Sequence, residues 1–226
     1  MPEKQRPSKI LLPENQRDPS VLRKAERTRR SILDAALNFL STHPFRDLTV
    51  AQLMSLAGTS RSAFYQYFDD LHDLMETLLR GLAEGVFEVA APWLQGEGDP
   101  IPLLEESIAG LVQVCYQQGS ILRAVNDAAP MDERLEQAWM GFLNDFDDAV
   151  AHRIEQHQAL GWIGPFEPRP VAIALNRMDA SLLIHHFGRR PRSRPGPVRE
   201  AILRIWISTL YSDQKPIDTA ASRSRK

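Results

Sequence analysis

The sequence predicts an all-α protein of about nine helices, in which a three-helix N-terminal domain is joined by a long helix to a helical C-terminal domain. Apolar residues recur every three to four positions in nearly every segment, which is typical of helices that bury one face. No segment alternates like a half-buried strand, and Gly and Pro separate the apolar stretches. Of the 226 residues, 43% are hydrophobic, which is enough for a substantial core. We place the domains at residues 23–70 and 71–211.

Both ends of the chain are predicted to lie outside these domains. Residues 1–22 contain four prolines among charged residues and favour a flexible basic arm, while residues 212–226 favour a disordered tail. Residues 1–30 hold nine basic and four acidic residues, although the net charge of the whole chain is -2. A positive end on an acidic body suits contact with a polyanion, but a solvated tail has the same composition.

Composition also bears on the cellular compartment. The single Cys115 cannot close a disulfide within the chain. The first thirty residues lack the apolar run of a signal peptide or a membrane span. We therefore expect a cytoplasmic protein.

The first predicted helix starts near Arg23 and stops at His43 and Pro44, because proline disfavours a helical residue before it. Its apolar stripe consists of Ile32, Ala36, Phe39 and Leu40.

Two short helices around a glycine follow. Thr49 and Gln52 have the spacing of a capping box, and Gly58 suits the left-handed turn that ends a helix. Thr59 or Ser60 can cap the third helix. Its inward face consists of Ala63, Phe64, Tyr67 and Phe68. Two short helices at such a turn form a helix-turn-helix.

Six more helices are predicted beyond Asp70, which can cap the first of them. Glycines and prolines divide them, with a loop at residues 95–102. The expected helices cover residues 71–92, 103–119, 120–129, 131–160, 170–187 and 197–211.

The exposed face of the third helix carries side chains that can read a DNA groove. Arg61 can bond a guanine edge or a phosphate, Gln66 can bond adenine, and the hydroxyl groups can bond phosphates. The start of the second helix, with Thr49, can point free amides at the DNA backbone. The predicted DNA-binding residues are Arg27, Arg30, Thr49, Thr59, Ser60, Arg61, Ser62, Tyr65, Gln66 and Tyr67.

The stretch from Leu48 to Phe68, LTVAQLMSLAGTSRSAFYQYF, resembles the N-terminal domain of TetR-family repressors. The resemblance implies a double-stranded DNA operator, a small effector and a homodimer. The family usually has a lysine three residues after the closing phenylalanine, where it contacts phosphate, whereas this chain has Leu71.

The long helix over residues 131–160 has an aromatic stripe, which can be core or the wall of a pocket. The stripe consists of Trp139, Phe142, Leu143, Phe146 and Val150, and the opposite side is expected to hold Asp145, Asp147, Asp148 and Glu155.

Two later segments, ALN within 172–178 and IWISTLY at 205–211, resemble the ligand-binding domain of the ethionamide-resistance repressor subgroup of that family. The resemblance implies an apolar tunnel in which Asn176 is the polar anchor and bonds a carbonyl of the ligand. Asp179 and Ile184 depart from the subgroup's pattern. The implied ligand-binding residues are Leu111, Cys115, Trp139, Leu143, Phe146, Val150, Asn176, Asp179, Leu183, Ile184 and Trp206.

The last two predicted helices have apolar residues on more than one face, such as Leu182, Leu183, Leu203 and Ile205. One face is therefore expected to bury a partner. In the family, these helices pair with their copies, giving a two-fold dimer that matches a palindromic operator.

Catalytic and metal chemistry is not indicated. His152 and His157 are five residues apart, about 140° around a helix, unlike the i, i+4 pairs that bind metals. No G-x-S-x-G elbow or phosphate-binding glycine loop is present. We expect no enzyme, no cofactor and no metal.

Two other interpretations fit the residues. A helical carrier of lipophilic molecules could keep a helix-turn-helix that no longer binds DNA, a reading supported by Leu71. An activator, or a regulator without a ligand, is compatible with every motif. Binding to DNA with a sequence preference separates a regulator from a carrier.

Overall fold

The structure is a computed structural model that describes residues 19–212, with side chains from residue 23 onward. The all-α prediction is confirmed. The described chain consists of α1 (Pro19–Leu40), α2 (Val50–Leu56), α3 (Arg61–Tyr67), α4 (Leu71–Gln95), α5 (Pro100–Ala128), α6 (Glu133–Ala159), α7 (Pro168–Phe187) and α8 (Pro195–Leu210), with short 3-10 turns at Phe45–Asp47 and Ala129–Met131. No described helix is both long and apolar enough to cross a membrane.

The first helix begins at Pro19, four residues before the predicted start, since proline suits the first turn of a helix. The rest of the predicted basic arm, residues 1–18, lies outside the described residues, as do residues 213–226 of the tail predicted over 212–226.

Local sequence explains the helix-turn-helix formed by α2 and α3. The Thr49 hydroxyl and the Gln52 side chain complete the predicted capping box. Gly58 ends α2 with a φ of 65°, a left-handed conformation that favours glycine. The Ser31 hydroxyl of α1 donates to the Ala57 carbonyl oxygen at 3.1 Å and ties the turn to the first helix. Phe64 is fully buried in the core of this domain.

The residues that the structure describes form eight helices instead of about nine, because the break expected at residues 118–119 is absent and α5 continues to Ala128. Gly119 serves close packing, since a Cβ atom there would lie 2.9 Å from the backbone and Cβ of Phe187 in α7. A glycine required by a neighbouring helix was therefore interpreted as a helix end.

The fourth helix also continues past its predicted end at Pro92. Proline lacks the N–H of the helical ladder. At this place the Trp93 N–H donates to the Ser107 hydroxyl of α5 at 2.9 Å, and that hydroxyl donates to the Ala90 oxygen at 3.3 Å. A side chain inserted from α5 thus satisfies backbone groups near the proline.

The fifth helix is the centre of the C-terminal domain, where it contacts α4, α6, α7 and α8, and it also contacts α1. The core of the domain lies among these helices and connects without a break to the core of the helix-turn-helix domain. Helix α5 therefore contacts elements of both domains.

Candidate functional site

The exposed face of α3 presents hydrogen-bonding side chains to solvent. Arg61, Ser62, Tyr65 and Gln66 are exposed, while Phe64 on the opposite face is buried. The Arg61 guanidinium lies 5.9 Å from the centre of the Tyr65 ring and 3.4 Å from its hydroxyl. Arg61 has no ion pair within the described residues, so its charge is available to an external anion.

The other predicted DNA-binding residues flank this face. Ser60 caps α3 by accepting from the Ala63 N–H at 3.3 Å, and its hydroxyl lies 2.9 Å from that of Ser62. Thr59 and Tyr67 are half-buried, and Thr49 is exposed at the start of α2. On the middle turns of α1, Arg27 and Arg30 are exposed and add two cationic side chains.

Leu71 occupies the position where the resemblance implies a lysine, and it is half-buried against the core. Next to Leu71, at the start of α4, the guanidinium group of Arg134 in α6 pairs with Asp70 at 2.8 Å and with Asp132 at 3.6 Å. Burial alone raises the pKa of Asp70, but the Asp73 amide and the Arg134 guanidinium hold it below its ordinary value. The start of α4 is thereby joined to α6.

The C-terminal domain contains an apolar cavity of about 40 Å³. Helices α4 to α7 all contribute to its wall. The residues that line it are Val86, Leu111, Cys115, Leu122, Trp139, Phe142, Leu143, Phe146, Asn176, Asp179, Ala180 and Leu183. Eight of the eleven predicted ligand-binding residues are among them.

A second cavity, of about 20 Å³, lies beside the first. Leu111 and Phe146 line both cavities and therefore stand between them. Val150 and Trp206, which were predicted in the main pocket, line this smaller one. Together the two spaces are far below the roughly 300–1,000 Å³ of a typical ligand site, so a ligand requires these side chains to move apart.

One predicted residue and four additional ones need comment. Ile184 lines neither cavity, because it follows Leu183 by about 100° around α7. Phe142 belongs to the aromatic stripe recognised in the sequence, but it was not assigned to the site. Leu122 was missed because the helix was expected to break at residue 119. Val86 and Ala180 carry no signal beyond helical periodicity.

Asp147 is fully buried, which corrects its predicted placement on the solvent side of the long helix. It follows Leu143 by four residues and thus lies on the buried stripe. Arg177 of α7 neutralises its carboxylate with two hydrogen bonds, of 3.2 and 2.9 Å. The same carboxylate accepts a 2.9 Å bond from the amide nitrogen of Asn176, which fixes the orientation of that amide.

Asp179 is a second buried acid, in the cavity wall itself. Desolvation raises its pKa to about 8, although a 2.9 Å hydrogen bond from the Trp206 indole opposes the shift. Desolvation, and then the charge of Asp179, raise the pKa of the Cys115 thiol to about 12. At neutral pH both groups are therefore uncharged when the cavity is as described.

Another buried polar group, His157 of α6, lies beside Trp93, which lines the second cavity. Its Nδ1 lies 2.8 Å from the Tyr211 hydroxyl, which accepts a 2.9 Å bond from the Trp93 indole. Desolvation, with the charge of Arg153, lowers the pKa of His157 to about 4. Within residues 23–212, no three His, Cys, Asp or Glu side chains group as metal ligands would.

A helix-turn-helix with a free polar face, packed beside a helical domain that holds an apolar cavity, defines the class of helix-turn-helix DNA-binding regulators. The comparisons with known proteins agree with this class. Residues 32–78 match the family described as bacterial regulatory proteins, tetR family. Residues 104–212 match the family described as transcriptional regulator EthR, C-terminal domain.

Individual relatives point the same way. The HTH-type transcriptional regulator EthR of Mycobacterium tuberculosis is 24% identical over 190 residues, which cover 82% of this chain and 88% of the relative. The HTH-type transcriptional repressor LfrR of Mycolicibacterium smegmatis is 39% identical over 113 residues, 47% of this chain and 59% of LfrR. A solved Rhodococcus structure, described as a TetR-family transcriptional regulator, has a TM-score of 0.66 at 22% identity and covers 79% of this chain and 96% of its own.

The chain belongs to the TetR family of transcriptional regulators and, within it, to the EthR subgroup. This membership confirms the resemblance found in the sequence.

Proposed function

We propose that the protein is a cytoplasmic, homodimeric repressor that binds a palindromic operator through α3 and is released when a small lipophilic molecule enters the C-terminal cavity. The observation that carries the proposal is the face of α3 formed by Arg61, Ser62, Tyr65 and Gln66, which is exposed and chemically suited to a major groove. Phosphates would be contacted by Arg27, Arg30 and the capped start of α2.

Two connections support transmission from the cavity to the DNA-binding domain. Leu122 lines the cavity, and the next residue, Arg123, bonds the C-terminal end of α1. At the second connection, Arg134 of α6 pairs with Asp70, which caps α4. Because the cavity must expand to admit a ligand, α5 and α6 would shift and move α1 and α4 with them. The affinities for ligand and DNA are then coupled in both directions.

Apolar surface on α7 and α8 supports the dimer. Leu182, Leu203, Ile205 and Ile207 are only half-buried in the single chain. Pairing of these two helices with their copies would cover them and would set the spacing of two recognition helices.

The test is a gel shift on the DNA upstream of the protein's own gene, with a scrambled fragment of the same length and composition as the control. The repressor is expected to prefer the native fragment with roughly nanomolar to micromolar affinity. A carrier without DNA function would bind neither fragment or bind both equally, and that result contradicts the proposal.

A further inference from the structure

Two buried oxygen atoms in the wall of the main cavity have no hydrogen-bond donor within the described residues: Oδ1 of Asn176 and Oδ1 of Asp179. Both side chains belong to α7 and are more than nine-tenths buried, with relative exposures of 5% and 4%. A buried acceptor without a donor destabilises the folded protein. Two such oxygen atoms in one cavity wall indicate a site for a ligand that has hydrogen-bond donors.

Their other polar atoms are already in use, which fixes what faces the ligand. The Asn176 amide nitrogen donates to Asp147, whose carboxylate is held by Arg177. Since only the nitrogen can donate, the amide cannot be reversed, and its oxygen is the remaining group. In Asp179, Oδ2 accepts from the Trp206 indole, so Oδ1 remains.

This arrangement differs from the carbonyl anchor that the resemblance implied for Asn176. A ligand carbonyl would meet the amide oxygen, an acceptor against an acceptor. In the empty cavity the carboxyl of Asp179 carries a proton, so its Oδ1 can itself donate, and the Asn176 oxygen is the acceptor that a ligand must serve. A bound cation would take the place of that proton. A protonated amine has several N–H donors and a positive charge, so it can serve both oxygens and neutralise Asp179.

The remaining wall suits the same ligand class. Trp139, Phe142 and Phe146 follow one another along α6, with ring centres 5.7 and 6.4 Å apart. Aromatic faces bind an apolar body and attract a cation as well.

We propose that the effector is an aryl or alkyl amine in its protonated form, with the ammonium group bound by Asp179 and Asn176 and the apolar part against the aromatic wall. This inference rests on the proposed effector role of the cavity. It adds the charge and the polar head of the ligand to that role.

Matched probes of equal size test the charge directly: 2-phenylethylamine, its hydrocarbon isostere propylbenzene, and the neutral donor 2-phenylethanol. Binding to the full chain is followed by tryptophan fluorescence, because Trp139 lines the cavity. At pH 8.5 the amine is expected to bind at least tenfold more tightly than either neutral probe. A neutral probe that binds as tightly as the amine would overturn the inference, and so would the absence of binding by all three.

The matched variants are Asp179→Asn, which keeps an acceptor for Trp206, and Asp145→Asn, an exposed residue of α6 with no polar contact among the described residues. Asp179→Asn should abolish the preference for the amine and leave the affinity for propylbenzene within about twofold. Asp145→Asn should change neither. A preference that survives Asp179→Asn places the cation elsewhere and contradicts the assignment.

The pH adds a readout that simple packing would not give. Desolvation keeps Asp179 protonated below about pH 8. The polar groups around its carboxyl are the Cys115 thiol of α5, the Trp206 indole of α8 and Asn176 of its own helix. Amine binding must therefore release one proton. The dissociation constant should fall about tenfold per pH unit from pH 6 to 8, while that of propylbenzene stays constant.

The same probes, added to the protein–operator complex, separate this inference from the proposed function. If propylbenzene releases the DNA as well as the amine does, the effector role stands and the amine assignment fails. If the protein shows no preference for the operator, the proposed function fails whatever the probes do.

Discussion

The Arg123 guanidinium donates a 2.7 Å hydrogen bond to the main-chain oxygen of Leu40, the last residue of α1. The same nitrogen lies 2.9 Å from the His43 oxygen, and the Arg123 side chain is buried. An arginine in the C-terminal domain thus satisfies carbonyl groups at the end of a helix in the DNA-binding domain. Arg123 directly follows Leu122, and Leu122 lies in the wall of the main cavity.

Replacing Arg123 by methionine should uncouple the two domains. Arg123→Met keeps an apolar stem but leaves the buried oxygen atoms without a donor, so the free energy of unfolding should fall by about 2–3 kcal/mol in urea titrations. The proposed loss of DNA affinity on ligand binding should also be smaller in this variant. Arg80→Met, at an exposed position of α4, is the control and should alter neither quantity. Undiminished release by ligand in Arg123→Met would show that this contact transmits nothing.

Gly119 should not tolerate alanine, since the added methyl would lie 2.9 Å from Phe187. Overpacking of this kind costs about 1–3 kcal/mol, which calorimetric melting of Gly119→Ala would detect. Gly81→Ala is a matched substitution within α4, where nothing lies within 4 Å. That variant should be stabilised by about 0.5–1 kcal/mol. Equal effects of the two substitutions would contradict the packing role of Gly119.

Gly119 also shows which features of the fold the sequence can predict and which it cannot. Helical periodicity and caps predicted the class of fold, and the polar face of α3 was predicted residue by residue. Those features depend on neighbours along the chain. The continuity of α5 depends on how closely α7 approaches Gly119, and a single sequence does not contain that distance. Asp147 shows the same limit, because its burial depends on a partner thirty residues away, Arg177.

The raised pKa of Asp179 predicts a pH-dependent stability in the absence of ligand. The native carboxyl titrates near pH 8, whereas the unfolded one titrates near 3.9, so the native state holds an extra proton between these values. Stability from this group is full below about pH 4 and is lost as pH rises to about 8, by roughly 1.4 kcal/mol per pH unit.

Asp179→Asn removes this titration. The difference in unfolding free energy between the variant and the wild type should therefore shift steadily in favour of the variant from pH 4 to 8. Taking the difference cancels other groups, such as His157, whose pKa is lowered to about 4. A difference that is flat with pH would mean that Asp179 is ionised in the native protein.

The proposed dimer predicts that a charge on the outer side of α8 separates the chains. Leu203→Glu places a carboxylate at a half-buried apolar position, and sedimentation should show a monomer that still melts cooperatively. Met140→Glu, at a position of α6 that is 42% exposed, should remain dimeric. If Leu203→Glu sediments like the wild type, the interface lies elsewhere.

Fluorescence anisotropy of a labelled operator, measured at increasing salt concentrations, shows whether α3 reads an operator. Wild-type affinity should fall steeply with salt concentration. Arg61→Ala should weaken binding about 10- to 100-fold, while Arg80→Ala, which removes an equal charge from an exposed position of α4, should have little effect. Equal affinities for all three proteins, or equal binding of operator and scrambled DNA, would mean that α3 does not read an operator.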